Sequence, residues 1–294
     1  TVRDGRHIAM PLAAIGNAIC YRQSHMEAAG FSEFPTDSVA FLELCKALQA
    51  NGTPAGFPHG KAVGDCNNYA HWLLWSHGAK MINEDGTVGI DSPETRAAID
   101  YARELYATFI PGTESWLDIN NNRAFLAGQC SLIANGVSLY YAARNDPALT
   151  EIADDIRTHI LPIGPVGESV ELHQTTSISI FNHTRYPEAA LAYLQWMYDT
   201  DRMNGWIEGA SAYCCGALQG MADNPVWTAS PIHEPYAKAS ASLRPNGYAG
   251  PLGYASAGVM ADYVLVDMFA EAVTGSSTED AIANAARRAG RYYS

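Results

Sequence analysis

Apolar side chains recur at helical spacing along much of the chain. Phe41, Leu44 and Leu48 fall on one face of one such segment. Thr36 or Asp37 provides its N-cap. The same reasoning predicts one helix that begins at the N-cap Asp65 and another that begins at Asp91 or Ser92. Further helices are predicted over 121–127, a run through Tyr140 and Tyr141, 186–198, 203–208, 259–273 and 278–292.

Other apolar runs lack a helical period and predict buried strands. Residues 7–22 read as one or two such strands, and further strands are expected over 130–134, 160–163 and 177–181. The turn Glu84-Asp85-Gly86 indicates a small hairpin. Because strands and helices alternate along the chain, the pattern predicts an α/β fold.

Length and composition narrow the class of protein. A chain of 294 residues is long enough for about two domains at roughly 150 residues each. Hydrophobic residues make up 48% and charged residues 17%, which is typical of a folded globular protein. The formal net charge of -13 repels polyanions, so we expect no nucleic-acid partner. No apolar run is long enough to span a membrane.

The motifs of several enzyme classes are missing. The sequence has no glycine-rich phosphate loop and no GxSxG nucleophile elbow. His71 and His77 stand six positions apart in a predicted helix and so face different sides. Asp65 and Asp118 are the candidates for a glycosidase carboxylate pair, although each is better explained as a helix cap or a turn residue. We therefore expect no enzyme active site, cofactor or metal.

The six cysteines are scattered along the chain without a CxxC pair. Two of them, Cys214 and Cys215, are neighbours, and adjacent cysteines can rarely bridge each other without strain. No flanking basic side chain lowers the pKa of either thiol. We expect most of the cysteines to be small buried side chains.

Aromatic rings stand beside polar side chains in two clusters. Asp65, Asn67, Asn68 and Trp72 form one cluster, and Tyr254 lies in the other. Such mixtures suit polyhydroxylated ligands, because the C–H faces of a sugar lie on rings while its hydroxyls form hydrogen bonds. Composition therefore points weakly towards a sugar or polyol ligand.

Four stretches of the chain resemble a known family when they are read in order. They are DGRHIAMPLAAIGNAICYRQSHMEAAGF, WLLWSHGAKMINEDGTVGIDSPETRAAIDYARELY, NNNRAFLAGQCSLIANG and the tail ASAGVMADYVLVDMFAEAVTGSSTEDAIANAARRAGRYY. Together they resemble the family-1 extracellular solute-binding proteins of bacterial ABC importers, the maltose-binding-protein-like group. The resemblance implies a two-lobed, type II periplasmic-binding-protein-like α/β fold whose lobes close on a ligand.

The resemblance also implies a division into lobes. Family members build most of the N-terminal lobe before the segment at which this sequence begins, so we expect that lobe to be incomplete. Residues 1–13 and 178–223 are expected to be its remnant. The C-terminal lobe is expected to comprise residues 14–177 and 224–294.

Ligand contacts in the family come from the strands that cross between lobes and from helix N-termini facing the cleft. The crossings map here to 13–18 and 173–177. Family sugar binders often carry a tryptophan two residues after an Asn-Gly, where this sequence has a serine. The resemblance implies the ligand-binding residues Asn17, Asp65, Asn67, Asn68, Trp72, Ser138, Gln174, Thr175, Tyr213 and Tyr254.

The function implied is that of a non-enzymatic, monomeric solute-binding protein without cofactor. It would be periplasmic, or extracellular and membrane-anchored in a Gram-positive organism. It would capture a small carbohydrate or polyol and deliver it to the permease subunits of an ABC importer. Two alternatives stay open, a binder of a cationic solute such as a polyamine and, less favoured, a glycan-active hydrolase.

Overall fold

The computed structural model describes residues 2–3, 6–216, 218–239 and 241–293. Within these residues the chain forms ten strands, several of them only two residues long. The strands are β1 Val2–Arg3, β2 Arg6–His7, β3 Met10–Ile15, β4 Ala18–Arg22, β5 Leu132–Asn135, β6 Ile156–His159, β7 Glu171–Leu172, β8 Gln174–Ile178, β9 Cys215–Gly216 and β10 Leu243–Arg244.

Thirteen α-helices complete the described part of the chain. They are α1 Gln23–Ala28, α2 Ser38–Ala50, α3 Asp65–Ser76, α4 Pro93–Tyr106, α5 Asn120–Leu126, α6 Ser138–Arg144, α7 Thr150–Asp155, α8 Pro187–Met197, α9 Thr200–Gly209, α10 Glu234–Ala239, α11 Tyr254–Ala261, α12 Val264–Val273 and α13 Thr278–Gly290. None of the helices described is both long and apolar enough to cross a membrane.

Strand β4 is the centre of an antiparallel sheet with the order β5-β4-β6. Successive side chains of a strand point to opposite sides, and in β4 residues 18–21 are all buried, so both faces of the strand are covered. Ile19 and Tyr21 enter a large cluster formed with α2, α3, α4, α12 and α13. Ala18 and Cys20 enter a second cluster with α5, α6, α7 and part of α9. This double burial explains why the segment lacks the polar alternation of a surface strand.

A second sheet has the order β8-β3-β9 and contains residues 13–15 and 174–177 of the predicted crossing segments. Strand β3 runs antiparallel to β8, with Ile15 opposite Gln174 and Met10 opposite Ile178. Only Gly16 and Asn17 separate β3 from β4. The chain therefore passes from one sheet to the other within two residues, and β8 begins beside that passage.

Several predicted elements are confirmed by their caps. The side chain of Asp37 accepts hydrogen bonds from the backbone N–H groups of Val39 and Ala40 at the start of α2. The side chain of Ser92 caps α4 by accepting from the Thr95 N–H. These side chains satisfy donors that the first helical turn leaves unpaired, which is why the cap residues could be read from the sequence.

Three predicted elements differ from the structure. Strand β6 lies at Ile156–His159 rather than at 160–163, and β8 begins earlier than the predicted strand at 177–181. The predicted helix over 259–273 is divided into α11 and α12, because Tyr263 adopts a left-handed backbone conformation with φ of 54°. Helical periodicity does not reveal a single residue in this conformation, so the apolar pattern continued through the break.

Candidate functional site

A polar cavity of about 210 Å³ opens where β3 passes into β4. The N-terminus of α3, the end of β5, the start of β8 and the loop after α9 supply its walls. Most of the side chains that line it are carboxamides or carboxyls, among them Asn17, Asp65, Asn68, Asp118, Asn122 and Asn135. The lining is completed by Ser138, Gln174 and Tyr213 together with residues 15–16, 64 and 136.

The N-terminus of α3 is capped from a distant part of the chain. The sequence predicted Asp65 as the N-cap, but that position is occupied by Gly64, and Asp65 is the first helical residue. The carboxylate of Asp118 accepts from the backbone N–H of Gly64 at 3.3 Å and of Asp65 at 2.9 Å. Because Asp118 satisfies these N–H groups, the Asp65 side chain is left to line the cavity.

The side chain of Asp65, which lines the cavity, is held by two carboxamides. The Nδ2 of Asn121 donates to its Oδ2 at 2.8 Å, and the Nδ2 of Asn135 lies 3.4 Å from the same oxygen. Burial raises the pKa of Asp65 to about 7, an effect that the Asn121 hydrogen bond opposes and the nearby Asp118 reinforces. A carboxyl in this position can accept hydrogen bonds from a ligand and can change charge near neutral pH.

A second buried carboxyl, Glu171, lies behind the passage between the sheets. It is 2% exposed and accepts hydrogen bonds from the backbone N–H of Asn17 at 3.4 Å and from the Ser242 hydroxyl at 3.1 Å. Burial raises its pKa to about 8. Sequence reasoning missed Glu171, because a glutamate in a polar segment gives no sign that it will be enclosed.

Asn17 is itself 5% exposed, and its Oδ1 has no hydrogen-bond partner among the residues that the structure describes. A buried polar atom without a partner costs free energy in the unliganded protein. Asn17 lines the cavity, so its carboxamide is available to a bound molecule.

Tyr213 stands at one side of the cavity on a constrained loop. The two residues before it, Ser211 and Ala212, both have positive φ, at 54° and 60°. The ring is 41% exposed and also borders a neighbouring cavity of about 370 Å³, which Ser138 and Tyr141 line as well. Because the two cavities share Ser138 and Tyr213, a ligand in the polar cavity could extend into the second one.

Six of the ten predicted ligand residues come together at the polar cavity. They are Asn17, Asp65, Asn68, Ser138, Gln174 and Tyr213. Sequence reasoning also missed Asn122 and Asn135, and it considered Asp118 only as part of a glycosidase pair. In the structure Asn122 lies in α5, Asn135 ends β5, and Asp118 bonds the N-terminus of α3. All three line the same cavity as residues that the resemblance did indicate.

Four predicted residues lie elsewhere. Trp72 is buried in the large core, where its indole donates to the Pro162 carbonyl at 2.9 Å. Asn67 is also buried, and its Nδ2 bonds backbone carbonyls just before α3. Thr175 is exposed on β8, one position beyond Gln174 and thus on the opposite face of the strand. Tyr254 is 80% exposed at the start of α11 and does not line the cavity.

The described residues hold no group of three or more potential metal ligands. Cys20, Cys45, Cys66, Cys130 and Cys214 are free and buried, as predicted, whereas the Cys215 side chain lies outside the described set. Burial raises the pKa of the Cys20 thiol to about 12, which makes it a poor nucleophile.

Curated relatives are similar to about two thirds of this chain. A protein of Brucella abortus (strain 2308), named as a binding protein, is 25% identical over 211 residues. That match covers 68% of this chain and 49% of the relative, so the chain spans about half the length of the curated relatives it matches.

Solved structures show the fold. A sugar transporter from Arthrobacter chlorophenolicus with bound laminaribiose matches with a TM-score of 0.84 and 17% identity, over 98% of this chain and 73% of that one. An ABC transporter solute-binding protein from Agrobacterium radiobacter in complex with ribitol matches with a TM-score of 0.80 and 16% identity, over 99% and 72%. The chain has the two-lobed periplasmic-binding-protein fold that the resemblance implied.

The family itself is established by a sequence model that matches residues 1–235. That region includes the lining residues of the polar cavity, both strands of the passage between sheets and helices α1 to α9. The chain belongs to the family of bacterial extracellular solute-binding proteins.

Proposed function

We propose that this protein captures a small carbohydrate or polyol in the polar cavity and delivers it to the permease of an ABC importer. It would act as a monomer in the periplasm, or outside the cell on a membrane anchor. Residues 1–13 and 178–223 would belong to one lobe, and residues 14–177 and 224–294 to the other. The pairing of β3 with β8 supports this division, since both strands cross its boundaries side by side.

The convergence of carboxamides around one cavity carries the proposal. Asn17 and Gln174 come from the crossing segments, while Asn68 and Asn135 come from α3 and β5. Each carboxamide offers two donors and an acceptor, a pattern that matches vicinal hydroxyl groups. The Tyr213 ring supplies a flat apolar face. The relatives with bound laminaribiose and ribitol support a solute of this chemistry.

Capture would work through differential contacts. A solute that touches residues on both crossing strands and on the helix N-terminus binds better when these walls are close together. Such a ligand shifts an open–closed equilibrium towards the closed state, and that state is what a permease can distinguish.

The test is the thermal unfolding of the chain with a panel of monosaccharides, disaccharides and polyols. We expect the melting temperature to rise with one class of solute, since a ligand at one hundred times its Kd stabilises the folded state by about 2.7 kcal/mol. Tyr213→Ala should weaken the binding of that solute by about tenfold or more, because it removes an aromatic contact.

Tyr186→Ala is the matched control, because Tyr186 is an exposed tyrosine outside the cavity. It should leave the affinity unchanged. An equal loss in both variants, or no loss in Tyr213→Ala, would contradict the proposed site.

One observation favours a second candidate, a cationic solute such as a polyamine. The cavity contains the carboxyls of Asp65 and Asp118, and none of the residues described as lining it is lysine, arginine or histidine. Titration with putrescine beside sorbitol separates the candidates, because a polyamine site binds the first and ignores the second.

A further inference from the structure

The cavity contains negative charge that nothing in its described lining balances. Its carboxyl side chains are Asp65 and Asp118, and none of the described residues that line it is basic. Cys20, Cys66, Tyr213 and Tyr236 also interact electrostatically with Asp65. None of these four groups can carry a positive charge, so none of them can stabilise an ionised Asp65.

The two carboxyls are not equivalent. Asp118 is engaged by the helix N-terminus through the backbone N–H groups of Gly64 and Asp65. Asp65 receives both of its carboxamide bonds on Oδ2. Within the described residues its Oδ1 accepts no hydrogen bond, and the side chain lines the cavity. Asp65 is therefore the carboxyl that a solute would meet.

Closure around any solute removes water from Asp65. A neutral solute can donate hydroxyl hydrogen bonds to the carboxylate but supplies no counter-charge, whereas an ammonium group both neutralises it and donates hydrogen bonds. An ammonium has three N–H donors and no acceptor, which suits the free Oδ1 of Asp65 and the unpartnered carboxamide oxygen of Asn17.

We propose that the solute carries an ammonium group in addition to its hydroxyls, as an amino-substituted sugar or polyol does, and that Asp65 binds this ammonium. The inference rests on the proposed function and specifies its solute class. A simple polyamine fits less well, because it would leave the carboxamides of Asn68, Asn135 and Gln174 without hydroxyl partners.

The experiment compares matched solutes by isothermal titration calorimetry at pH 8. The central pair is sorbitol and 1-amino-1-deoxysorbitol, which differ only in one hydroxyl exchanged for an amine. Glucose, glucosamine and its neutral N-acetyl derivative form a second set, and putrescine represents the polyamines. The amino compound should bind at least about tenfold more tightly than its hydroxyl analogue, because it gains a charge-assisted hydrogen bond.

Asp65→Asn should abolish this preference, so that sorbitol and its amino analogue bind the variant with equal affinity, because the amide keeps the size of the carboxyl but carries no charge. Glu188→Gln, an exposed acid on α8, is the control and should keep the preference. The wild-type protein provides a second readout, since its preference should shrink at pH 5.5, below the pKa of about 7 that burial gives Asp65.

Each outcome is decisive. Equal affinity for sorbitol and its amino analogue, or an amine preference that survives in Asp65→Asn, would overturn the ammonium site while leaving the proposed function intact. Tightest binding of putrescine would overturn it in favour of the polyamine candidate. A protein that binds none of these solutes would contradict the proposed function as well.

Discussion

Helices α3 and α8 show opposite relations between sequence and burial. Helix α8, PEAALAYLQWM, is the more apolar of the two, with eight of 11 residues being alanine, leucine, tyrosine, tryptophan or methionine. Helix α3, DCNNYAHWLLWS, has seven of 12 from the same set and cysteine. Yet Trp72 of α3 is 1% exposed, whereas Trp196 of α8 is 54% exposed.

The surroundings of each helix account for the difference. Helix α3 packs against α4, α12 and β7, and its buried His71 bonds the Asn67 carbonyl within the helix itself. In α8 the buried side chain is Leu194. Its aromatic face, with Leu12 and Trp206, borders an open cavity of about 530 Å³. Apolar composition thus predicts that a helix has an apolar face, but whether that face is buried depends on which other elements of the fold pack against it.

Replacing a tryptophan in each helix should give the largest contrast. Trp72→Ala removes a ring enclosed by Phe41 and Tyr69 and the hydrogen bond to Pro162, so we expect a loss of about 3–5 kcal/mol in unfolding free energy. Trp196→Ala removes a ring that contacts Arg202 and Tyr193 at the surface, so the loss should stay below about 1 kcal/mol. Urea unfolding monitored by circular dichroism measures both.

The milder change Trp72→Phe keeps a ring in the core and serves if Trp72→Ala does not fold. Should Trp196→Ala cost as much as Trp72→Ala, α8 would be as firmly packed as α3 and the comparison would fail.

A smaller contrast should appear between buried and exposed carboxyls. Glu171 lies in β7, which packs against α3. Burial raises its pKa to about 8 in the folded protein, whereas a glutamate in the unfolded chain has a pKa of about 4.3. Between these values the folded state binds more protons than the unfolded chain, so the unfolding free energy falls as pH rises. Glu171→Gln should therefore be more resistant to urea than the wild type at pH 8.5, and should lose part of that advantage at pH 5.

Glu188→Gln on α8 is the matched control for this experiment, because Glu188 is exposed. Its urea midpoint should follow that of the wild type at both pH values. A Glu171→Gln protein that shows the same pH dependence as the wild type would mean that Glu171 is ionised in the folded state.

The same contrast explains how much the sequence could predict. The caps Asp37 and Ser92 are local signals, and the structure confirms the helices they begin. Asn17 and Gln174 could be indicated because the family resemblance fixed the crossing segments, and the structure brings both to the cavity.

Long-range contacts could not be read in this way. Asp118 caps a helix that lies 53 residues earlier in the chain, and Glu171 is enclosed by Asn17 and Ser242 from two distant segments. The prediction placed Trp72 near the ligand, but its ring, seven residues after Asp65 in α3, is buried in the large core. Which side chains of a helix point into the core depends on where the rest of the fold packs against it, and this is not visible in the local sequence.

The smallest expected effects concern the caps in the two regions. Asp37→Ala removes the acceptor for two N–H groups of α2, whose apolar face is buried, and should lower the unfolding free energy by about 1 kcal/mol. Asp199 caps α9, next to α8, through a single bond from the Arg202 N–H at 3.3 Å. Asp199→Ala should cost about 0.5 kcal/mol, the low end of cap losses.

Amide hydrogen exchange distinguishes global from local loss more sharply than urea does. In Asp37→Ala the exchange of buried α2 amides should accelerate in proportion to the global change, because α2 unfolds with the core. In Asp199→Ala the acceleration should be confined to the first turn of α9, since a helix end beside the exposed aromatic face can open alone. Acceleration throughout the core in Asp199→Ala would show that α8 and α9 unfold together with α3, and burial would then be a poor guide to which parts of this molecule are coupled.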